Sequence, residues 1–199
     1  TGFWHARDYC QSNPRVANAC QPGIFNHAEQ GANGVETSPR DTVFLTNYNN
    51  SAYDRIAKSA ADAGSVGTGS VFGIAYNRLT KKVFSAAYAK RNVDYGDAGP
   101  GGIYITDPTT KVTTVFATVP NAGTTAHDLT PITGGGEEDL EFRKAVGKES
   151  LGTIVMSDDY KSLFVMNLND KKVYQYDATG NTATTPLQVI DVSTNACGT

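Results

Sequence analysis

Charge is scarce in this sequence. Only 19% of its 199 residues are Asp, Glu, Lys or Arg, and they leave a net charge of −3. That balance carries no basic footprint for nucleic acid. Long apolar runs are missing as well. None approaches the roughly 18–20 residues of a membrane-spanning helix. Histidine is limited to His5, His27 and His127, and none stands in a recognisable motif with a Ser or Cys nucleophile. The residues therefore name no catalytic group.

Cysteine is nearly absent: Cys10, Cys20 and Cys197 are the three present. Cys10 and Cys20 lie outside any periodic segment, among Pro, Asn and Gln. Their closeness predicts a local disulfide and an oxidising, extracellular or cell-surface location. Two reduced thiols are the alternative. Zinc suits them poorly, because no third ligand is near. Cys197 is then left over, unpaired or joined to another chain or segment. The sequence opens at Thr1 with no signal peptide; a processed, exported chain accounts for that, as does a partial one.

What is abundant is glycine, 20 residues, and tyrosine, 10, with Thr and Asn in the turns. This suits short strands joined by polar turns. A repeat organises them. Residues 70–119 read as four short strands, and residues 151–192 as a weaker copy, separated by a connector at 120–150. Phe72-Gly73-Ile74 is laid over Leu151-Gly152-Thr153, Val83-Phe84 over Leu163-Phe164, and Ile103-Tyr104 with Asp107 over Val173-Tyr174 with Asp177. Four-stranded units of this length are what a propeller blade looks like in sequence. The predicted fold is all-β and propeller-like, with four-stranded antiparallel blades and about two full blades present. Residues 1–40 are predicted as a coil-like lead-in pinned by the disulfide, and 41–199 as a partial propeller.

Finer expectations follow along the chain. Residues 41–48 predict a strand, 53–62 a short helical piece, and 63–69 a flexible breaker. Asn49-Asn50-Ser51 matches a glycosylation sequon. Strands are predicted at 71–75, 83–88, 102–106 and 113–119, the first lining a central axis. Gly99-Pro100-Gly101-Gly102 lacks the Lys and following helix of a phosphate loop. Asp94 and Asp97 are the candidate calcium ligands, although an EF-hand loop needs more carboxylates; no other cofactor is expected. His127 and Asp128 with Glu137 form a second candidate metal group. The acidic run Glu137, Glu138, Asp139 and Glu141 is expected to be a solvated face at a helix start, with Leu140, Phe142 and Val146 docking that helix.

The run GIAYNRLTKKVFSAAYAKRNVDYGDAGPGGIYITD resembles the N-terminal propeller region of large bacterial cell-surface proteins, in which blades precede immunoglobulin-like or similar repeats. FRKAVGKESLGTIVMSDDYKSLFVMNLNDKKVYQYD is similar to the next blade, and DYCQSNPRVANACQPGIFN to the cysteine-containing lead-in. Thr153 departs from the pattern, which favours an acidic residue there. The resemblance implies no catalytic motif, and it implies that Cys197 opens a following blade. Three functions compete. The first is a non-catalytic extracellular surface scaffold or adhesion module, with other segments of a larger protein or neighbouring copies as partners. The second is a subunit of an extracellular fibre. The third is a lactonase-like propeller hydrolase using Asn77, Asp158 and His127 around a metal. Tyr76, Tyr88, Tyr95, Tyr104 and Tyr174 offer faces for surface glycans.

Overall fold

The computed structural model describes residues 13–20, 40–62, 64–128 and 139–194. Eleven strands are present among them: β1 (Arg15–Ala19), β2 (Asp41–Asn47), β3 (Tyr53–Lys58), β4 (Val71–Asn77), β5 (Lys82–Ala87), β6 (Gly102–Thr106), β7 (Thr113–Thr118), β8 (Leu151–Met156), β9 (Ser162–Asn167), β10 (Lys172–Asp177) and β11 (Gln188–Asp191). They form three antiparallel sheets, each in up-and-down order. The first sheet is β1-β2-β3, the second β4-β5-β6-β7 and the third β8-β9-β10-β11.

One turn chemistry recurs at the hairpins. Asn77 Oδ1 accepts from the backbone N–H of Leu79 and Thr80, Asp107 Oδ1 from Thr109 and Thr110, and Asn167 Oδ1 from Asn169 and Asp170. The side chain thereby holds the first corner of each turn. The corner before the next strand falls at Lys81, Lys111 and Lys171, whose φ values of 61°, 61° and 58° are left-handed. Such a residue costs backbone energy but returns the strand in the right twist.

The sheets stack through two apolar layers. Val43, Leu45, Ile56 and Ala57 of the first sheet bury against Val71, Val83 and Tyr104 of the second. The opposite face of the second sheet presents Ala75, Phe84, Ala86, Ile103, Ile105 and Phe116. These meet Leu151, Ile154, Leu163, Val165, Tyr174 and Tyr176 of the third. Phe84 and Phe116 pack edge to face at 4.9 Å, and Phe116 meets Tyr176 at 6.4 Å. Each fully buried aromatic of this size contributes about 2–3 kcal/mol. Because side chains alternate along a strand, one sheet serves both neighbours.

Several expectations change. The overlay of the two four-stranded units moves by one residue at its start. Val71 and Leu151 occupy equivalent places, as do Ile74 and Ile154, because each strand carries an irregularity between those two residues. The overlays at Val83-Phe84 and Ile103-Tyr104 stand as read. Residues 53–58, read as helical, form β3; pairing with β2 and burial of Ile56 and Ala57 override the Ala- and Lys-rich local preference. Residues 15–19, read as coil, form β1 and pair with β2. The glycine-rich 64–69 stretch is no loose breaker. Thr68 is fully buried, and a Cβ on Gly69, at φ +57°, would collide with the backbone of Tyr95 and Gly96. Residues 142–144 make a 3-10 turn in place of a longer helix, docking Phe142 and Ala145 while Leu140 stays exposed.

Candidate functional site

The connector from the second to the third sheet holds the most concentrated buried polar chemistry among the described residues. His127 and Asp139 meet there, Nδ1 to Oδ2 at 2.7 Å, with side chains 6% and 0% exposed. Asp139 Oδ2 also accepts from the Asn92 N–H at 2.9 Å, and Oδ1 from the Asp128 N–H at 3.0 Å. A carboxylate receiving backbone donors on both oxygens is an acceptor, so His127 supplies the proton on Nδ1. Nε2 carries the lone pair in the neutral imidazole and a second proton in the cation. Nε2 is buried and has no hydrogen-bond partner among the described residues, and the same holds for Asn92 Oδ1.

Aromatic rings enclose the pair. His127 stacks on Phe142 with ring centroids 3.4 Å apart, and Tyr95 meets the two rings at 5.3 and 5.8 Å. Burial pushes the Tyr95 hydroxyl well above its ordinary range, and the Glu149 carboxylate adds to the effect. Glu149 itself grips Thr125 through the backbone N–H at 3.1 Å and the hydroxyl at 2.6 Å. The sequence folds this way because Phe142 lies on the 3-10 turn facing Ala89, which brings Asp139 to the 89–98 loop.

An imidazole oriented by a carboxylate has, in its neutral form, the arrangement of a general base or an oriented metal ligand. Among the described residues nothing beside it completes either. No group of three or more His, Cys, Asp or Glu capable of holding an ion occurs among the described residues.

The expected site residues land as follows. His127 pairs with Asp139, not with Asp128 as its side-chain partner, and Glu137 lies outside the described residues. Asp139, read as part of a solvated acidic face, is buried. Its burial left no signal in a run of four acidic residues. Asp94 Oδ1 accepts from the Tyr95 N–H, and Asp97 Oδ2 from the Gly67 N–H across the sheet boundary. Asn77 is fully buried. Both its amide hydrogens go to backbone carbonyls and its oxygen holds the turn, so it offers no atom to a metal. Asp158 stands in the exposed β8–β9 turn.

Of the five tyrosines, Tyr104 and Tyr174 are buried and cannot stack on a sugar, whereas Tyr76 is exposed. Tyr174 donates to Asp170 Oδ2 at 2.5 Å, and burial together with that bond raises its hydroxyl to about 12. Cys20 follows β1 half-buried, with no disulfide partner among the described residues, while Cys10 and Cys197 lie outside them. A cleft of about 220 Å³ between β3 and the β6–β7 turn is lined by Arg55, Lys58, Asp62 and Lys111. Its charges are already paired, Lys58 with Asp62 and Lys111 with Asp54. No helix is long and apolar enough to cross a membrane among the described residues. The chain matches no known family model and no curated protein sequence.

Proposed function

We propose that the chain is a non-catalytic extracellular scaffold or adhesion module of a bacterial surface, its sheets acting as successive blades of a propeller-like array. The observation that carries this reading is the repeated stacking: one face of the second sheet receives the first, and its other face receives the third, through equivalent strand positions. Rigid sheets stacked this way hold exposed turns at fixed spacing, which suits presentation rather than turnover. The buried His127–Asp139 pair then serves as a pin that fixes the connector.

Two assays test it. The purified chain, given lactone and ester substrates with added calcium or with EDTA, is expected to show no turnover. Turnover that disappears in His127→Ala would overturn the reading in favour of a hydrolase. Antibody labelling of intact producing cells is expected to reach the chain, and peptide mapping without reductant is expected to recover Cys10 linked to Cys20.

A fibre subunit is the second reading. It is favoured by β11, an edge strand whose four residues are all exposed, Val189 and Ile190 among them. By contrast the outermost strand of the second sheet has carbonyls already taken: Thr113 O accepts from Val66 N and Phe116 O from Ala183 N. Unpaired edges recruit further strands. Concentration-dependent association that a lysine at Val189 abolishes would favour the fibre.

A further inference from the structure

The first sheet is one strand short, and the register shows which one. Val43 pairs with Ala57 and Thr46 with Tyr53, as Ile103 pairs with Ala117 and Thr106 with Thr113, with an irregularity after Val43 and after Ile103 alike. Val16 and Ala17 stand opposite Thr46 and Leu45, as Val83 and Phe84 stand opposite Thr106 and Ile105. Strands β1, β2 and β3 therefore correspond to β5, β6 and β7. Among the described residues nothing takes the place that β4 has beside β5 and β8 has beside β9.

The gap is a notch with an apolar floor. Ile154 of β8 is 3% exposed beneath β4, whereas its counterpart Ile74 is only half-buried and Tyr76, two residues on, is 43% exposed. The wall of the notch is the edge of β1, which borders β2 alone among the described strands.

We propose that the notch captures an extended strand donated by a separate polypeptide, paired antiparallel with β1 and lying on Ile74 and Tyr76. Strand addition of this kind draws affinity from the backbone ladder and specificity from alternate side chains. The chemistry of the donor is read from β4 where it lies on β8. A Cβ on Gly73 would stand 2.8 Å from the Gly152 oxygen, and Ala75 is buried on the same face. The donor thus turns glycine and alanine toward the floor and carries no charge there. This goes beyond the scaffold reading and does not depend on it.

Two observations turn away the chain's own lead-in. The hairpins that return β4 into β5 and β8 into β9 each place a left-handed residue in the last two positions of the turn, Lys81 at φ 61° and Tyr160 at φ 60°. Before β1 those positions are Asn13 and Pro14. Proline holds φ at about −65° and keeps the residue before it extended. Pro14 O and Asn13 Oδ1 instead accept from the Tyr48 and Asn49 N–H groups, at 3.1 and 3.2 Å. The second observation is charge. A turn of the length of 78–81 would set Asp8 where β4 has Ala75, and a one-residue slip either way would turn Arg7 to that face. Both bury an unpaired charge on Ile74 and Tyr76. A second copy fits no better. Its β4 and β8 are held in their own sheets, and its edge strand β11 would set Val189 or Ile190 where the rim admits glycine and alanine.

The test uses residues 1–199 and a fluorescent peptide copying residues 71–77, VFGIAYN. Saturable fluorescence polarisation is expected, with amide exchange in β1 slowed about tenfold in the complex. The Gly73→Val peptide is expected to bind about tenfold more weakly, because its Cβ meets the rim. The Tyr76→Lys protein is expected to lose affinity to a similar extent while keeping the parent's thermal midpoint. Equal binding of the valine peptide overturns the proposal as non-specific adhesion. Absence of binding overturns it too: fast β1 exchange then shows an empty notch, and slow exchange shows one filled by the chain's own remaining residues. A dimer in sedimentation velocity that excludes the peptide gives the notch to a second copy and overturns it. Binding by residues 1–199 that the full natural polypeptide lacks gives the notch to a distant segment of the same polypeptide, and overturns the separate donor. Substrate turnover would sink the scaffold reading while leaving these results untouched.

Discussion

Asn77 in β4 and Ala178 just beyond β10 are joined across the boundary between the second and third sheets, the buried Asn77 amide donating to the Ala178 carbonyl at 3.1 Å. The same amide donates to the Tyr160 carbonyl at 2.9 Å. One side chain therefore closes its own hairpin and clamps the neighbouring sheet. Asn167 repeats the device, with its amide on the carbonyls of Pro120 and Asn121. Asn77→Ala strands two carbonyls and two turn N–H groups, and should cost about 3 kcal/mol. Urea unfolding measures it; a loss under about 1 kcal/mol would show that water replaces the clamp.

Asp139→Ala removes the acceptor shared by His127 Nδ1 and the N–H groups of Asn92 and Asp128. The expected loss is about 3 kcal/mol, with new proteolytic cuts between 121 and 150 appearing before any in β8–β10. Asp139→Asn, which keeps an acceptor oxygen, should recover part of the stability. Equal damage from both variants would argue against a hydrogen-bonding role.

The Asp107 carboxyl is held at about 2, down from 3.8, chiefly by its hydrogen bond from Lys82 and then by the Thr109 N–H. The folded value lies below the unfolded one. Its contribution to stability is thus present above the ordinary carboxylate value and lost as pH falls through about 2. Carbon-detected NMR titration should place the Asp107 midpoint near 2, and Lys82→Met should move it upward. An unchanged midpoint in that variant would remove Lys82 as the cause.

Lys81 adopts φ 61° at the end of the β4–β5 turn, and its side chain is exposed. Lys81→Gly relieves the left-handed strain against the greater freedom of unfolded glycine, for a net gain of about 0.5 kcal/mol. Lys81→Val should lose about 1 kcal/mol, because β-branching disfavours that region. Thermal unfolding ranks the three; a destabilised glycine variant would refute the strain.

Much of the second and third sheets is visible in the sequence. Apolar residues and the Asn or Asp turns mark β5, β6 and β7 within a residue or two. β3 is hidden because YDRIAK has helix-forming Ala and Lys, and only its pairing with β2 makes it a strand. β1 is short and polar, so its five residues carry no periodic signal. The His127–Asp139 pair is hidden for another reason. A buried carboxylate reads like an exposed one until the Asn92 and Asp128 N–H groups that satisfy it are located. Asn77 and Asn167 read as turn residues, which they are, but nothing local discloses the sheet each reaches across to.

Gly73 lies where β4 and β8 meet, and a Cβ there would stand 2.8 Å from the Gly152 carbonyl oxygen and 3.0 Å from the Ile154 nitrogen. The two backbones approach along this line, while farther out the same boundary is filled by the rings of Phe84, Phe116 and Tyr176. The gap between the sheets is therefore a wedge, thin at the β4–β8 rim and thick outward. At this boundary the missing methyl group of Gly73 lets the second and third sheets close up on the β4–β8 side, so the two meet at an angle. Phe72 and Tyr76 of β4 are exposed on this narrow side, and the Phe72 ring lies 5.2 Å from that of Tyr88, so the closest approach of the two sheets is edged by aromatic rings.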